Sequence, residues 1–240
     1  IPKIFSINVH GSLLPKSRGA APINWVIING EKTTGITIIK MTKDMDAGPV
    51  ILKKEIDITE DDDVLTLENK LSHLGAQLLL DALKSIENNN YNLTPQDEEK
   101  ISFAPRLKKV DGLIHWNKPA RVIHNLIRGC AGWPGAFTYY NDKLLKIYKA
   151  KVTKSPSHQV AVSAGEIMQI SKEGIVVATA EDSLIISKKI EVGLAINITT
   201  SIEKLFPFID KINFIQCMGI EKIGYQGQSF DKRVFNQIKS

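Results

Sequence analysis

The sequence predicts an α/β protein in two parts: a portion of an open sheet flanked by helices, followed by a small β-barrel. Three observations lead to this prediction. An apolar run of strand composition at 4–9 is followed by a glycine-containing loop and a short helical pattern. A leucine-rich helical pattern then extends to about residue 86. Beyond residue 136, short β-like runs recur at a spacing typical of a small barrel.

The first predicted strand ends in two polar side chains. Asn8 and His10 are two residues apart, so both leave the same face of the strand. In open α/β sheets ligands bind at the carboxyl ends of strands, and the loop at 11–19, with two glycines and a proline, is expected to turn sharply there. A helix is predicted to begin near Ala20, with Pro22 in its first turn. Its predicted buried residues are Ile23, Val26 and Ile27.

Two further strands are predicted at 35–40 and 50–58, where β-branched residues are frequent. The polar loop between them carries Asp46, which is expected to fold back toward His10. The acidic run 60–63 is interpreted as a helix start rather than a metal site, because acidic groups suit the positive end of a helix dipole. The apolar pattern of that helix consists of Leu65, Leu67, Leu71, Leu74, Leu78, Leu79 and Leu83.

The span 88–111 is polar, contains two prolines and lacks a sustained period, so it is interpreted as an interdomain linker. Pro119 is predicted to open a helix, which two glycines terminate. The predicted buried stripe of this helix is Val122, Ile123, Leu126 and Ile127. The strands expected after it lie at 136–140, 144–152, 160–170, 174–179 and 184–190.

The positive charge of the chain is concentrated in its second half. Residues 1–100 hold 11 Lys and Arg against 15 Asp and Glu, whereas residues 101–240 hold 20 against 11. Such a basic region is expected of a domain that handles a polyanion such as RNA. A solvated basic surface without a partner explains the charge alone equally well.

The composition is that of an ordinary globular protein, with 43% hydrophobic and 24% charged residues. The apolar runs are far shorter than the roughly 18 residues that a spanning helix needs, so no membrane partner is expected. The two cysteines, Cys130 and Cys217, lie far apart and form no Cys-x-x-Cys pattern. Neither a disulfide framework nor a zinc site is suggested, and a cytoplasmic location fits.

Three motifs stand in order in the first half of the chain. They read Asn-x-His-x-Ser-Leu-Leu-Pro-x-x-Arg-Gly-Ala-Ala-Pro-Ile at 8–23, Thr-Gly-Ile-Thr-Ile at 34–38 and Asp-Ala-Gly at 46–48. Together they resemble the folate-dependent formyltransferases, most closely those that act on methionyl-tRNA. The resemblance implies part of a doubly wound, Rossmann-like sheet. It also implies transfer of a formyl group from 10-formyltetrahydrofolate to the α-amino group of methionyl initiator tRNA.

Several residue roles follow from this resemblance and from no other observation. It implies a catalytic trio of Asn8, His10 and Asp46. It also implies that four consecutive residues line the folate site: Ser12, Leu13, Leu14 and Pro15. The chemistry requires no metal, because hydrogen-bond donors can stabilise the tetrahedral intermediate of acyl transfer.

The second half carries motifs of the same family. They are Lys-Lys-x-Asp-Gly-x-Ile-x-Trp at 108–116, Ile-His-Asn-Leu-Ile-Arg-Gly at 123–129 and Trp-Pro-Gly-Ala-Phe at 133–137. The resemblance implies an OB-like barrel here, and it fades after about Ser187. The expected organisation is a catalytic portion at 1–88, a linker at 89–111, a barrel at 112–190 and an unrecognised tail at 191–240. Roughly a hundred residues that precede the first motif in the family are expected to be missing.

The partners expected from this reading are initiator methionyl-tRNA and folate, bound by a monomer. Lys108, Lys109 and Arg18 are the candidate nucleic-acid contacts, although Arg18 could instead position another anionic substrate or pair with Glu55. An enzyme that formylates a nucleotide-sugar amine would share the same trio. A non-catalytic RNA-binding module is a second alternative, which the 7% aromatic content disfavours.

Overall fold

The structure, a computed structural model, describes residue 2, residues 4–154 and 162–187, and the backbone of two later strands. The chain divides into two compact units, Ile1–Ser187 and Lys188–Ser240. Within the part that the structure describes, every helix is too short or too polar to cross a membrane.

The first unit begins with a three-stranded sheet in the order β1 (Ile7–His10), β2 (Thr33–Lys40) and β3 (Val50–Asp57). The three predicted strands are therefore confirmed. Both pairings are antiparallel, and His10 lies opposite Thr37. The portion of the open sheet that is described is thus an antiparallel meander, and β1 ends at the histidine as predicted.

Helices α1 (Pro22–Ile28) and α2 (Val64–Glu87) pack with this sheet around one hydrophobic core. The α2 residues Leu67 and Leu71 are almost fully buried. Leu65 and Leu83 belong to the apolar pattern predicted for this helix but not to its buried face, since their exposed fractions are 56% and 46%. Both leucines lie outside the face of α2 that packs against the sheet. This buried face is narrower than the number of leucines in α2 indicates.

The predicted acidic helix start is confirmed at α2. Asp63 is the N-cap, and its carboxylate accepts a hydrogen bond from the Thr66 backbone amide at 2.9 Å. Asp62 is buried and bonded to Lys70 and Thr59. Burial works to raise the pKa of the Asp62 carboxyl, but the hydrogen bonds from Lys70 and Thr59 lower that pKa to about 2.

The span 88–111, predicted to be a linker, also forms hydrogen bonds with the first half of the chain. Thr94 exchanges two backbone hydrogen bonds with Val50, and Ala104 donates a backbone hydrogen bond to Arg18 at 2.7 Å. The Trp25 indole donates to the Pro105 carbonyl at 2.8 Å. This span therefore lies against the first sheet and the loop after β1, held by contacts that hydrophobic periodicity does not reveal.

Helix α3 (Ala120–Gly129) begins after Pro119, as predicted. It packs against α1, and its buried residues include Ile123 and Ile127. Val122 was predicted to belong to the buried stripe, but it is 47% exposed. Two polar residues of α3, His124 and Asn125, are buried as well. Apolar periodicity alone does not predict their burial.

The remaining strands of the first unit form a hairpin of β4 (Ala136–Tyr140) and β5 (Lys143–Ile147) and a four-stranded antiparallel sheet. The strands of this sheet lie in the order β6 (Ala150–Thr153), β9 (Ser183–Ser187), β8 (Gly174–Ala178) and β7 (Ile167–Ile170). The predicted strand 144–152 is in fact two strands, which separate at Tyr148. No closed barrel is found in residues 4–154 and 162–187. Of the predicted strand at 160–170, residues 160 and 161 lie outside the described part, and the prediction is wrong for 162–166, which contain a turn, so that only Ile167–Ile170 is a strand.

The second unit contains strands β10 (Gly193–Asn197) and β11 (Phe214–Met218), which pair in parallel. A parallel pair cannot be joined by a tight hairpin, because the chain must return to the starting edge before the second strand begins. Sequence pattern assigns no structure to 191–240, and this parallel pairing differs from the antiparallel pairings of the first unit.

Candidate active site

His10 is the last residue of β1 and only 5% of it is exposed. Its Nε2 atom lies 3.1 Å from the Ser17 carbonyl oxygen. A carbonyl oxygen only accepts hydrogen bonds, so the proton of the neutral ring resides on Nε2. Nδ1 is therefore the ring nitrogen that carries no proton in the neutral tautomer. Sequence reasoning did not identify Ser17, because its contribution is made by the backbone.

Asp46 lies beside Nδ1 of His10. Its Oδ2 atom is 3.5 Å from His10 Nδ1, and only 11% of the Asp46 side chain is exposed. The same oxygen accepts a hydrogen bond from the Gly19 backbone amide at 2.9 Å. The prediction that Asp46 folds back toward His10 is confirmed. Because both side chains are largely buried, solvent and salt screen the attraction between this carboxylate and a protonated His10 only weakly. The carboxylate can therefore stabilise the imidazolium.

Asn8 lies on the same face of β1 as His10, two residues earlier, and is half-buried. Among the residues that the structure describes, none forms a hydrogen bond with its carboxamide. The Asn8 amide group is therefore available to donate to a bound molecule, next to the imidazole of His10.

Side-chain hydrogen bonds stabilise the turn at 12–15. The Ser12 hydroxyl donates to the Lys16 carbonyl at 2.7 Å, and the Thr37 hydroxyl donates to the Ser12 carbonyl at 2.6 Å while accepting from the Leu14 amide at 3.1 Å. Ser12 and Leu14 are each 1% exposed, whereas Leu13 and Pro15 are half-buried. The Ser12 hydroxyl and the backbone of Ser12 and Leu14 thus hold the turn, whereas the side chains of Leu13 and Pro15 are partly accessible.

Arg18 directs its guanidinium toward the span 88–111. Both its Nε and Nη2 atoms donate to the Oε1 atom of Gln96, at 3.1 and 2.7 Å. The alternative in which Arg18 pairs with Glu55 is wrong, since the guanidinium is directed to Gln96. Lys108 and Lys109, the other candidate nucleic-acid contacts, are exposed.

A cavity of about 300 Å³ lies on the other face of β1, which Val9 presents. It is lined mainly by apolar residues of β1, α1, β2 and α2, and it touches neither His10 nor Asp46. Within the described ranges, no group of three His, Cys, Asp or Glu side chains is arranged to hold a metal ion.

Two family models match this chain. Residues 1–83 match the model described as formyl transferase, and residues 106–200 match the model described as formyl transferase, C-terminal domain. The chain is 45% identical over 188 residues to the methionyl-tRNA formyltransferase of Acetivibrio thermocellus, covering 78% of this chain and 60% of that protein. It is 46% identical over 184 residues to the methionyl-tRNA formyltransferase of Caldanaerobacter subterraneus subsp. tengcongensis, covering 77% of this chain and 58% of that protein. The chain thus spans about three-fifths of the length of these relatives.

Solved structures of lower identity share the fold. The N-formyltransferase from Helicobacter canadensis, in complex with folinic acid and dTDP-3-aminofucose, superposes with a TM-score of 0.62 at 23% identity, covering 75% of this chain and 65% of that one. HypX from Aquifex aeolicus, in complex with tetrahydrofolic acid, superposes with a TM-score of 0.60 at 17% identity, covering 95% of this chain and 39% of that one. These two likenesses bear on the fold alone.

Proposed function

This chain belongs to the formyltransferase family, and we propose that it transfers a formyl group from 10-formyltetrahydrofolate to the α-amino group of initiator methionyl-tRNA. The observation that carries the proposal is the His10 ring, held by the Ser17 carbonyl at Nε2 and facing the Asp46 carboxylate at Nδ1. The identity of about 45% to two methionyl-tRNA formyltransferases supports the tRNA substrate.

The proposed reaction joins the amino nitrogen of the substrate to the formyl carbon and then breaks the bond from that carbon to the folate nitrogen, which leaves with a proton given up by the attacking amine. Charge develops on the former carbonyl oxygen in between. Asn8 donates to this oxygen through its amide, and protonated His10 donates through Nδ1, because Nε2 is already bonded to Ser17. Asp46 stabilises the imidazolium and takes part in moving the proton that the attacking ammonium, with a pKa near 8, must lose.

We place the folate beside the turn formed by Ser12, Leu13, Leu14 and Pro15. The partly accessible side chains of Leu13 and Pro15 support an apolar contact, and the hydrogen bonds of Ser12 with Lys16 and Thr37 support a fixed backbone there. No metal takes part in the proposed chemistry. We further propose that the protein works as a monomer in the cytoplasm.

The second half is proposed to be an OB-like barrel that binds tRNA. The β4–β5 hairpin and the four-stranded sheet supply antiparallel strands of suitable length. The excess of basic residues after residue 100 supports a polyanionic partner, and the exposed Lys108 and Lys109 lie where the span 88–111 leads into this half. Arg18 can contribute the N–H groups that Gln96 does not engage.

The role of Asn8 is tested by Asn8→Ala in the full-length protein. We expect the single-turnover rate of formyl transfer to fall about 100-fold, because one donor to the developing oxyanion is lost. The affinity for tRNA should stay within about twofold, since the interaction strengthens only after binding. Asn90→Ala, at an exposed asparagine beyond α2, is the matched control and should retain the parental rate. A loss of tRNA affinity as large as the loss of rate would argue against this role.

The tRNA surface is tested by Lys108→Gln combined with Lys109→Gln. Each phosphate that a lysine neutralises adds to the salt dependence of binding, so the slope of log affinity against log salt should decrease by about one to two units. Folate binding should remain intact. The control is Lys53→Gln combined with Lys54→Gln, a second exposed lysine pair, on β3. If the slope of the first variant equals that of the parent, the two lysines are solvated surface charges and the tRNA surface lies elsewhere.

A further inference from the structure

The backbone at Asp46 is in a conformation that needs support. Its φ angle is 52°, in the left-handed region that residues other than glycine rarely adopt. The carboxylate that faces His10 is placed by this backbone, and within the described residues its only other hydrogen bond is to the Gly19 amide. Any group that fixes the main chain at Asp46 therefore also fixes the distance between the two titratable side chains.

Gln96 binds the Asp46 main chain directly. Its Nε2 atom donates to the Asp46 carbonyl at 2.7 Å and to the Gly48 carbonyl at 2.8 Å. Its Oε1 atom accepts two hydrogen bonds from Arg18. Carbonyl oxygens only accept and a guanidinium only donates, so the Gln96 amide has a single possible orientation and both of its N–H groups are used. The bonds between Thr94 and Val50 fix the backbone from which Gln96 extends.

The same span also supports His10. The Ser102 hydroxyl accepts a hydrogen bond from the Ser17 amide at 2.9 Å, and the Ser102 carbonyl accepts one from the Arg18 amide at 2.9 Å. The Ser17 carbonyl is in turn the acceptor for His10 Nε2. Two residues of the span 88–111 thus hold the backbone on both sides of the His10–Asp46 pair.

We propose that Gln96 is a positioning residue for the formyl transfer reaction, which it serves by holding the Asp46 loop so that the carboxylate faces His10 Nδ1. This inference rests on the function proposed above. Gln96 touches neither of the two side chains itself, and it acts through the Asp46 and Gly48 carbonyls. Without it, Asp46 is free to leave the left-handed region and its carboxylate moves away from the ring.

The kinetic test compares Gln96→Glu with Gln96→Met. The first keeps the side-chain length and an acceptor for Arg18 but removes both N–H donors, and the second removes donors and acceptor without adding charge. We expect both variants to lower kcat about 10- to 100-fold, because a displacement near 1 Å of a reacting group costs on this order. KM for folate and for tRNA should stay within about twofold. Gln77→Glu and Gln77→Met, on the exposed face of α2, are the matched controls and should keep the parental kcat.

A second measurement tests the inference without an activity assay. The Gly19 amide donates to Asp46 Oδ2, so its hydrogen exchange reports whether the carboxylate is in place. We expect this exchange to become at least about tenfold faster in Gln96→Met, while the Leu14 amide, bonded to Thr37, keeps its parental rate. Parental kcat in both Gln96 variants, a loss confined to KM, or unchanged exchange at Gly19 would overturn the inference. A parent protein that transfers no formyl group would overturn the proposed function, and the exchange result would still decide the role of Gln96.

Discussion

Replacing Asp46 with asparagine is expected to lower kcat for formyl transfer about 100-fold or more in the full-length protein. The asparagine oxygen can still accept the hydrogen bond from the Gly19 amide, so the loop keeps its place. The negative charge 3.5 Å from His10 Nδ1 is lost, however, and with it the group that stabilises the imidazolium and takes part in proton movement. Rapid-quench kinetics under single-turnover conditions would measure the chemical rate.

Asp44→Asn is the matched control for this substitution, because Asp44 is an exposed aspartate in the same loop. It should retain the parental rate. Asp46→Asn should also bind tRNA within about twofold of the parent, as judged by filter binding, since the charge of Asp46 acts after the complex has formed. An Asp46→Asn variant that turns over at the parental rate would remove this carboxylate from the mechanism.

A large loss of stability is expected when Leu67 in α2 is truncated. This side chain is fully buried in the core shared by the first sheet and its two helices. Leu67→Ala should lower the free energy of unfolding by about 3 kcal/mol, because transfer free energy is lost and a cavity remains. For a protein of this size the corresponding decrease in Tm is roughly 10 °C, which calorimetry or circular dichroism would detect.

Leu80→Ala makes the same chemical change on the same helix, but Leu80 is 59% exposed. It should change the free energy of unfolding by no more than about 0.5 kcal/mol. Equal losses of stability at the two positions would mean that α2 does not present Leu67 to the core, and the register of the helix on the sheet would have to be revised.

The sequence predicted those parts of the site that side-chain pattern encodes. Asn8 and His10 could be placed on one strand face by their spacing, and Asp46 on a loop that returns to that strand end. Ser17 and Gln96 could not be found in this way. Ser17 acts through its carbonyl, and Gln96 contacts backbone atoms of a loop about 50 residues earlier in the chain. Backbone hydrogen bonds over such separations leave no periodic signal.

The span 88–111 was interpreted as a linker for the same reason. Its polar composition and its prolines exclude a long helix or a central strand, and that reasoning holds. The span nevertheless forms short backbone pairings with Val50 and Arg18, which require no alternation of apolar residues. It connects the two halves and at the same time supports the His10–Asp46 pair.

In the second half, strand positions were more predictable than their arrangement. The strand at 136–140 was predicted with the observed bounds. The run of β-branched and apolar residues at 144–152 was predicted as one strand, but it is interrupted at Tyr148. The parallel pairing of β10 with β11 had no counterpart in the prediction. Strand propensity identifies half-buried pleated segments but does not determine which partner or direction a strand takes.

The most direct test of this account is a formyl transfer assay with the full-length protein. Labelled 10-formyltetrahydrofolate would be supplied together with either methionyl initiator tRNA or a nucleotide-linked amino sugar at matched concentrations. We predict that kcat/KM for the charged tRNA exceeds that for the amino sugar by at least about 100-fold, because the basic second half recognises only the larger substrate. Formylation of the amino sugar alone, or of neither acceptor, would contradict the account.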